Sequence, residues 1–137
     1  MPLSIGFTGT RHGASSRQLV SLRSLLVGSL GEFHHGDCVG ADALAHSIAL
    51  SLGFCIFIHP PSDPRKRAFC TGAVKVFEIM PYLVRNTIIV RSTECLIAMP
   101  HSSVEQLRSG TWATVRFARS IGRPVFVIHP DGSIHED

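Results

Sequence analysis

The chain has no apolar run approaching the roughly 18 residues of a membrane-spanning helix, which argues against a helical membrane protein. It has no CxxC pair and no HxH or HExxH spacing, so no zinc site or metallohydrolase helix is indicated, and neither a metal nor a cofactor is expected. The four cysteines, Cys38, Cys55, Cys70 and Cys95, lie in apolar strands or beside small residues and read as buried, reduced thiols. Charged residues make up only 17% of the chain and the net charge is +3. That balance permits an anionic ligand but falls short of the basic footprint of a dedicated DNA-binding domain. With one Tyr and one Trp there is no aromatic series on which successive bases could stack. No basic segment precedes the first strand, and the expectation is a soluble, cytoplasmic protein with no membrane partner.

What is present is enough apolar material for a core: 45% hydrophobic residues in 137, which suits one domain over 1–137. A short β-type run at 3–7 ends in Thr8-Gly9-Thr10-Arg11-His12-Gly13, and Ser15-Ser16 can cap an amphipathic helix reaching about residue 30. A second strand at 32–35 leads to Gly36-Asp37-Cys38-Val39-Gly40-Ala41-Asp42 and an Ala/Leu-rich helix over 42–52. Gly53 stops that helix, and 54–58 is a continuous apolar run of the kind buried on both faces of a parallel sheet. Residues 60–80 are irregular and Pro-rich, with a helical excursion expected around 73–80. Pro81 suits the first turn of a helix to about 92, 95–99 is a strand, 111–121 a helix, and 124–128 a strand before a polar tail. Strands alternating with helices predict an α/β fold: a parallel sheet of about five main strands with helices on both faces.

Ligands of such sheets bind at the carboxyl ends of the strands, near a topological switch point. Those ends carry Gly9, Thr10 and Arg11, the Gly36–Asp42 turn with Gly40 inside it, His59-Pro60, Met99-Pro100 and His129-Pro130. Arg11 at the mouth of a Gly turn offers a planar fork to phosphate. Arg85 and Asn86 sit early in one helix, and Ser109, Gly110 and Thr111 open another whose free N–H groups suit an anion. Two readings stand for each turn. Gly36 and Gly40 serve either a tight turn or a ligand, and Asp42 either favours its helix N-terminus or accepts from a ribose hydroxyl. His34, His35, His46 and His101 read as surface or loop histidines, and Trp112 as core.

The ordered set GFTGTR, HGDCVGADALA, PYLVRNTIIV, CLIAMP and RSGTWATVRFAR followed by GRPVFVIHPDG resembles the SLOG superfamily. That Rossmann-like group includes DNA-processing protein A and the LOG phosphoribohydrolases, and the likeness spans about residues 4–132. The resemblance implies a single Rossmann-like domain with a nucleotide pocket formed by Gly9, Thr10, Arg11, the Gly36–Asp42 turn, Arg85, Asn86, Ser109, Gly110, Thr111 and Thr114. LOG enzymes cleave the N-glycosidic bond of a nucleoside monophosphate with a Glu, and Thr114 stands at that position here. A hydroxyl cannot act as a carboxylate acid/base or stabilise an oxocarbenium-like centre by charge. DNA-processing protein A also has a small polar residue there, but no winged-helix extension is present here.

Three functions follow in order. The first is a binding module that senses or sequesters a nucleotide or nucleotide-derived ligand, such as an ADP-ribose or cyclic nucleotide species. The second is a glycosidic-bond hydrolase or transferase of LOG type using Asp37, Asp42 or Glu94 in place of the missing Glu, with Asp37 the best placed. The third is a single-stranded nucleic-acid binder using Arg65-Lys66-Arg67. Relatives resembling this chain self-associate, so at least a homodimer is expected, through the helices carrying Arg85-Asn86 and 112–119.

Overall fold

The computed structural model describes residues 3–137. In chain order the elements are β1 (Leu3–Gly9), α1 (Ser16–Leu26), β2 (Gly31–His35), α2 (Ala41–Ser51), β3 (Cys55–Ile58), β4 (Lys75–Val76), α3 (Tyr82–Arg91), β5 (Cys95–Met99), α4 (Gly110–Ser120), β6 (Val125–Ile128) and β7 (Ile134–Glu136). The sheet has seven strands in the order β4-β3-β2-β1-β5-β6-β7, all parallel except the antiparallel β6–β7 pair. This is the expected α/β architecture with two short edge strands added.

The period-2 pattern of the strands divides the core. Ile5, Phe7, Phe33, Ile56, Ile58, Ile97, Met99 and Ile128 face α1 and α2, where Leu22, Leu26 and three alanines of α2 meet them. Leu96, Ala98, Val125 and Val127 face the other way, against Val90 of α3 and Trp112, Val115 and Ala118 of α4. Each fully buried Leu, Ile or Phe of these layers is worth about 1.5–3 kcal/mol. The small side chains Ala41, Ala45 and Ala49 let α2 lie close to the sheet, which brings its N-terminus to the carboxyl end of β1.

Two expectations fail at the edges. The segment 73–80 is not helical: it forms β4 beside β3, with Val74 N–H donating to Ile56 O and Phe77 N–H to Ile58 O. The polar tail is not free either, because it returns as β7. Its turn is closed by Gly132 N–H on His129 O and by the Asp131 carboxylate accepting from Ser133 N–H. Helix α1 ends at Leu26, short of residue 30.

Candidate functional site

Strands β1 and β5 are neighbours although β2, β3 and β4 intervene in sequence, and the helices that follow them, α1 and α4, pack on opposite faces of the sheet, which makes their carboxyl ends the switch point. Thr10 is the knot of this place. Its N–H donates to Met99 O at 3.1 Å, its carbonyl accepts from Ala41 N–H at 3.0 Å, and its hydroxyl accepts from His12 N–H at 3.2 Å. Gln18, buried in α1, donates its amide to both Pro100 O and Ile128 O and so fixes the ends of β5 and β6 together. Sequence reasoning missed it. Arg11 is exposed and in no ion pair among the described residues. The rings of His12 and His101 approach to 4.9 Å, each from a loop that follows one of these two strands.

Three helices begin near these strand ends, and they are not equivalent. The start of α1 is closed by a capping box, in which Ser15 Oγ accepts from Gln18 N–H while Gln18 Oε1 accepts from Ser15 N–H. The start of α2 has Gly40 at its cap and the buried Asp42 carboxylate in its first turn, which accepts from Cys38 N–H at 3.1 Å and would oppose a second anion. In α4 the Ser109 hydroxyl accepts only Trp112 N–H, which leaves the Gly110 and Thr111 N–H groups, orphans of helix geometry, for a ligand. Gly110 is required by space, since a Cβ there would overlap the Tyr82 hydroxyl. Thr114 is buried, and its hydroxyl donates back to Gly110 O at 2.9 Å within its own helix.

Arg85 is 3% exposed and lies where the ends of β2 and β3 meet α3. Its Nη1 donates to Gly36 O at 2.8 Å and His59 O at 3.3 Å, while Nη2 reaches only Cys38 Sγ. Among the described residues Nε has no partner and no carboxylate lies within 4 Å, although the Asp42 carboxylate is near enough to feel the charge. Gly36 is a glycine because a Cβ would strike Nη1. Asn86 is buried beside it. Burial pushes the Asp42 carboxyl up to about 6, with the charge of Arg85 opposing the rise.

Several expectations are corrected here. Asp37 does not stand open in the mouth: it is fully buried, paired with Arg67 at 2.9 Å and accepting from Cys70 N–H at 3.0 Å. Glu94 lies at the opposite end of the sheet, its carboxylate accepting from Ser4 N–H beside the start of β5. The basic run is divided, because Arg65 pairs with Asp63 and Arg67 with Asp37. His34, His35 and His46 are buried rather than superficial, as is His59. They form two directional chains. Asp37 N–H donates to His35 Nδ1, so His35 Nε2 carries the proton given to His46 Nδ1, and His46 Nε2 donates to Thr71 O. In the second, His59 Nε2 donates to His34 Nδ1, and His34 Nε2 to the Glu32 carboxylate. The cysteines are free thiols, but Cys55 is exposed and the other three only partly buried. Burial raises Cys38 above its ordinary value and Cys70 to about 12, which keeps both protonated.

The chain is similar in structure to the molybdenum cofactor binding protein from the phototrophic bacterium Rippkaea orientalis. The TM-score is 0.71 at 20% identity, over 94% of this chain and 77% of that one. No family model matches the sequence, and no curated protein matches it. At that identity the likeness establishes the Rossmann-like α/β fold. No helix of the described residues is long and apolar enough to cross a membrane.

Proposed function

We propose that the protein is a SLOG-like binding module that holds a nucleotide or nucleotide-derived anion at the carboxyl ends of the strands, in a sensing or sequestering role. The observation that carries this reading is Arg85, a buried cation whose charge acts on Asp42 but which has no carboxylate within 4 Å among the described residues, at the point where the Gly-containing turns converge. A buried cation held by carbonyls and by a carboxylate beyond ion-pair distance is costly, and an anionic ligand in direct contact would lower that cost. The phosphate sits on the Gly110 and Thr111 N–H groups of α4, with the free fork of Arg11 completing the cradle. Gly9 and Thr10 give the close backbone approach, and the Gly36–Asp42 turn and Asn86 line the remainder.

The hydrolase reading has less support, because Asp37 is held by Arg67, Asp42 is buried on a backbone N–H, and Glu94 is at the far end of the sheet. The nucleic-acid reading loses two of its three cations to local carboxylates. The test is a panel of nucleoside mono-, di- and cyclic phosphates and ADP-ribose, with the fold neighbour's molybdenum cofactor as a further member. Bound and product fractions are read by mass spectrometry and affinities by calorimetry. Arg11→Ala should weaken the best ligand about tenfold, the worth of one charge-assisted contact of about 1.5 kcal/mol. Absence of binding by every phosphate-bearing member, or unchanged affinity in Arg11→Ala, would reject the assignment.

A further inference from the structure

A cleft of about 440 Å³ opens between β4 and α3, and neither Gly110 nor Thr111 lines it. Its volume is in the range of small-molecule sites, about 300–1,000 Å³. It exists because α3 covers β1 while α4 covers β5 and β6, so that this face of β3 and β4 has no helix of its own. One wall is aromatic: Phe77 stacks on His59 at 4.4 Å and 13°, and His59 in turn stacks on His34. Ile88 of α3 and Met80, just before it, supply apolar surface from the other direction.

Two cations and one carboxylate reach this cleft: Lys75, Arg85 and Glu78. Lys75 Nζ rests 4.6 Å from the Phe77 ring centroid at an exposed site, a hold weak enough for a carboxylate to compete. Arg85 is both a wall of the cleft and the owner of a buried Nε–H with no partner. Its Nη1 protons face Gly36 O and His59 O and one Nη2 proton faces Cys38 Sγ, which leaves Nε–H and the second Nη2 N–H, a side-on pair that matches the two oxygens of a carboxylate. Glu78 at the same cleft disfavours a dianion. Burial holds His59 down to about 4, so the histidine is a neutral wall at ordinary pH.

We propose that the cleft between β4 and α3 is a second ligand site, taking a small flat aromatic carboxylate. The ring lies against Phe77, Met80 and Ile88, and the carboxylate accepts from Arg85 Nε and pairs with Lys75. This site shares only Arg85 with the switch-point site and does not rest on the nucleotide reading.

The probe is quinoline-2-carboxylate, with neutral quinoline and inorganic phosphate as controls, followed by calorimetry and by amide shifts of residues 75–80 and 85–88. Quinoline-2-carboxylate should bind the wild type and shift those amides. Lys75→Met, at an exposed position, should weaken it about tenfold, and Ile88→Trp, which fills the cleft, should abolish it. Nucleotide binding at the switch point should be unchanged in both variants. The proposal is overturned if the carboxylate leaves those amides unmoved at millimolar concentration, if quinoline binds as well as its carboxylate, or if Lys75→Met binds as the wild type does.

Discussion

Arg67 Nε donates to Asp37 Oδ2 at 2.9 Å, and the carboxylate it meets is fully buried. Asp37 has a φ of 54°, a left-handed conformation that Asp tolerates better than most residues. The turn after β2 is held in this shape from outside, since Cys70 N–H donates to the same carboxylate and Ala68 N–H to Asp37 O. Removing the cation leaves a buried carboxylate uncompensated, which typically costs about 3–5 kcal/mol. Arg67→Met should lower the unfolding free energy by that order in a urea titration, and adding Asp37→Asn should restore a large part of it. A loss under about 1 kcal/mol in Arg67→Met would show that the pair does not hold the turn.

The buried histidines set the acid side of the stability profile. Burial, reinforced by His46, holds His35 down to about 3, and burial with His34 holds His59 down to about 4. Both bind protons in the unfolded chain near 6.5 but not in the folded one, so their stabilisation is present above about 6.5 and is lost as pH falls. Asp42 acts oppositely: its folded value of about 6 lies above the unfolded 3.8, so its contribution is lost as pH rises through 6. Between about pH 4 and 6 the unfolded state holds two extra histidine protons and the folded state one extra carboxyl proton. The net is one proton, and stability should rise by about 1.4 kcal/mol per pH unit over that window. Urea titrations at half-unit steps measure the slope, and His35→Gln should bring it close to zero. A wild-type slope that is flat or negative would contradict the assignment of neutral, buried histidines.

Strands β3, β5 and β6 were legible as short apolar runs that end near a proline, and β1 and β2 by the Gly-containing turns that follow them. The helix starts were legible because Ser15, Pro81 and Ser109 carry their own chemistry. Strand β4 was not, since two residues at a sheet edge have no periodicity and their pairing is decided by β3. Strand β7 had an overlooked signal: Pro130-Asp131-Gly132 is a turn sequence, and Asp131 makes the expected bond to Ser133 N–H. The burial of His34, His35 and His46 was illegible for a different reason. His35 meets His46 across 11 residues, and His34 and His46 each find a partner 25 residues away, in His59 and Thr71 O, so the bonds that let these imidazoles go inside cross between elements. Arg67 likewise reads as one of three basic neighbours until the fold brings Asp37 to it.

We propose that the protein forms at least a homodimer through the outer face of α3. Tyr82, Leu83 and Val84 expose 45%, 69% and 46% of their surfaces, and Ile79 beside them 55%. Contiguous apolar exposure of this kind marks a partner surface. The other expected helix, α4, is less suited, because Trp112 and Val115 face the core and Arg116 and Arg119 pair with Glu105. Light scattering at micromolar concentration should give twice the 14.9 kDa chain mass or more, and Leu83→Glu should return the monomer. A wild type that runs as the monomer throughout would reject the surface.

On the proposed reading, a nucleotide held at the switch point is bound without being cleaved. By the resemblance to LOG-type enzymes Thr114 falls where they have a carboxylate, and its hydroxyl is turned back to Gly110 O inside α4. A group so placed neither moves a proton to a leaving base nor meets a developing cation with charge. Loss of a positioned acid/base costs about a hundred- to ten-thousandfold in rate, so free base should not be released from AMP or its relatives above background. Thr114→Glu tests whether the position alone is missing. The new carboxylate would stand at the fifth residue of α4, a buried position beyond the first turn where the helix dipole acts, and with no hydroxyl to donate it would lose the back-bond to Gly110 O. Chromatographic detection of free base over hours should therefore show no turnover by the wild type and at most a weak gain in Thr114→Glu. Robust turnover by the wild type that is lost in Asp37→Asn but kept in Arg67→Met would reverse the reading. It would mean that the buried pair opens in solution and that Asp37 is the catalytic carboxylate.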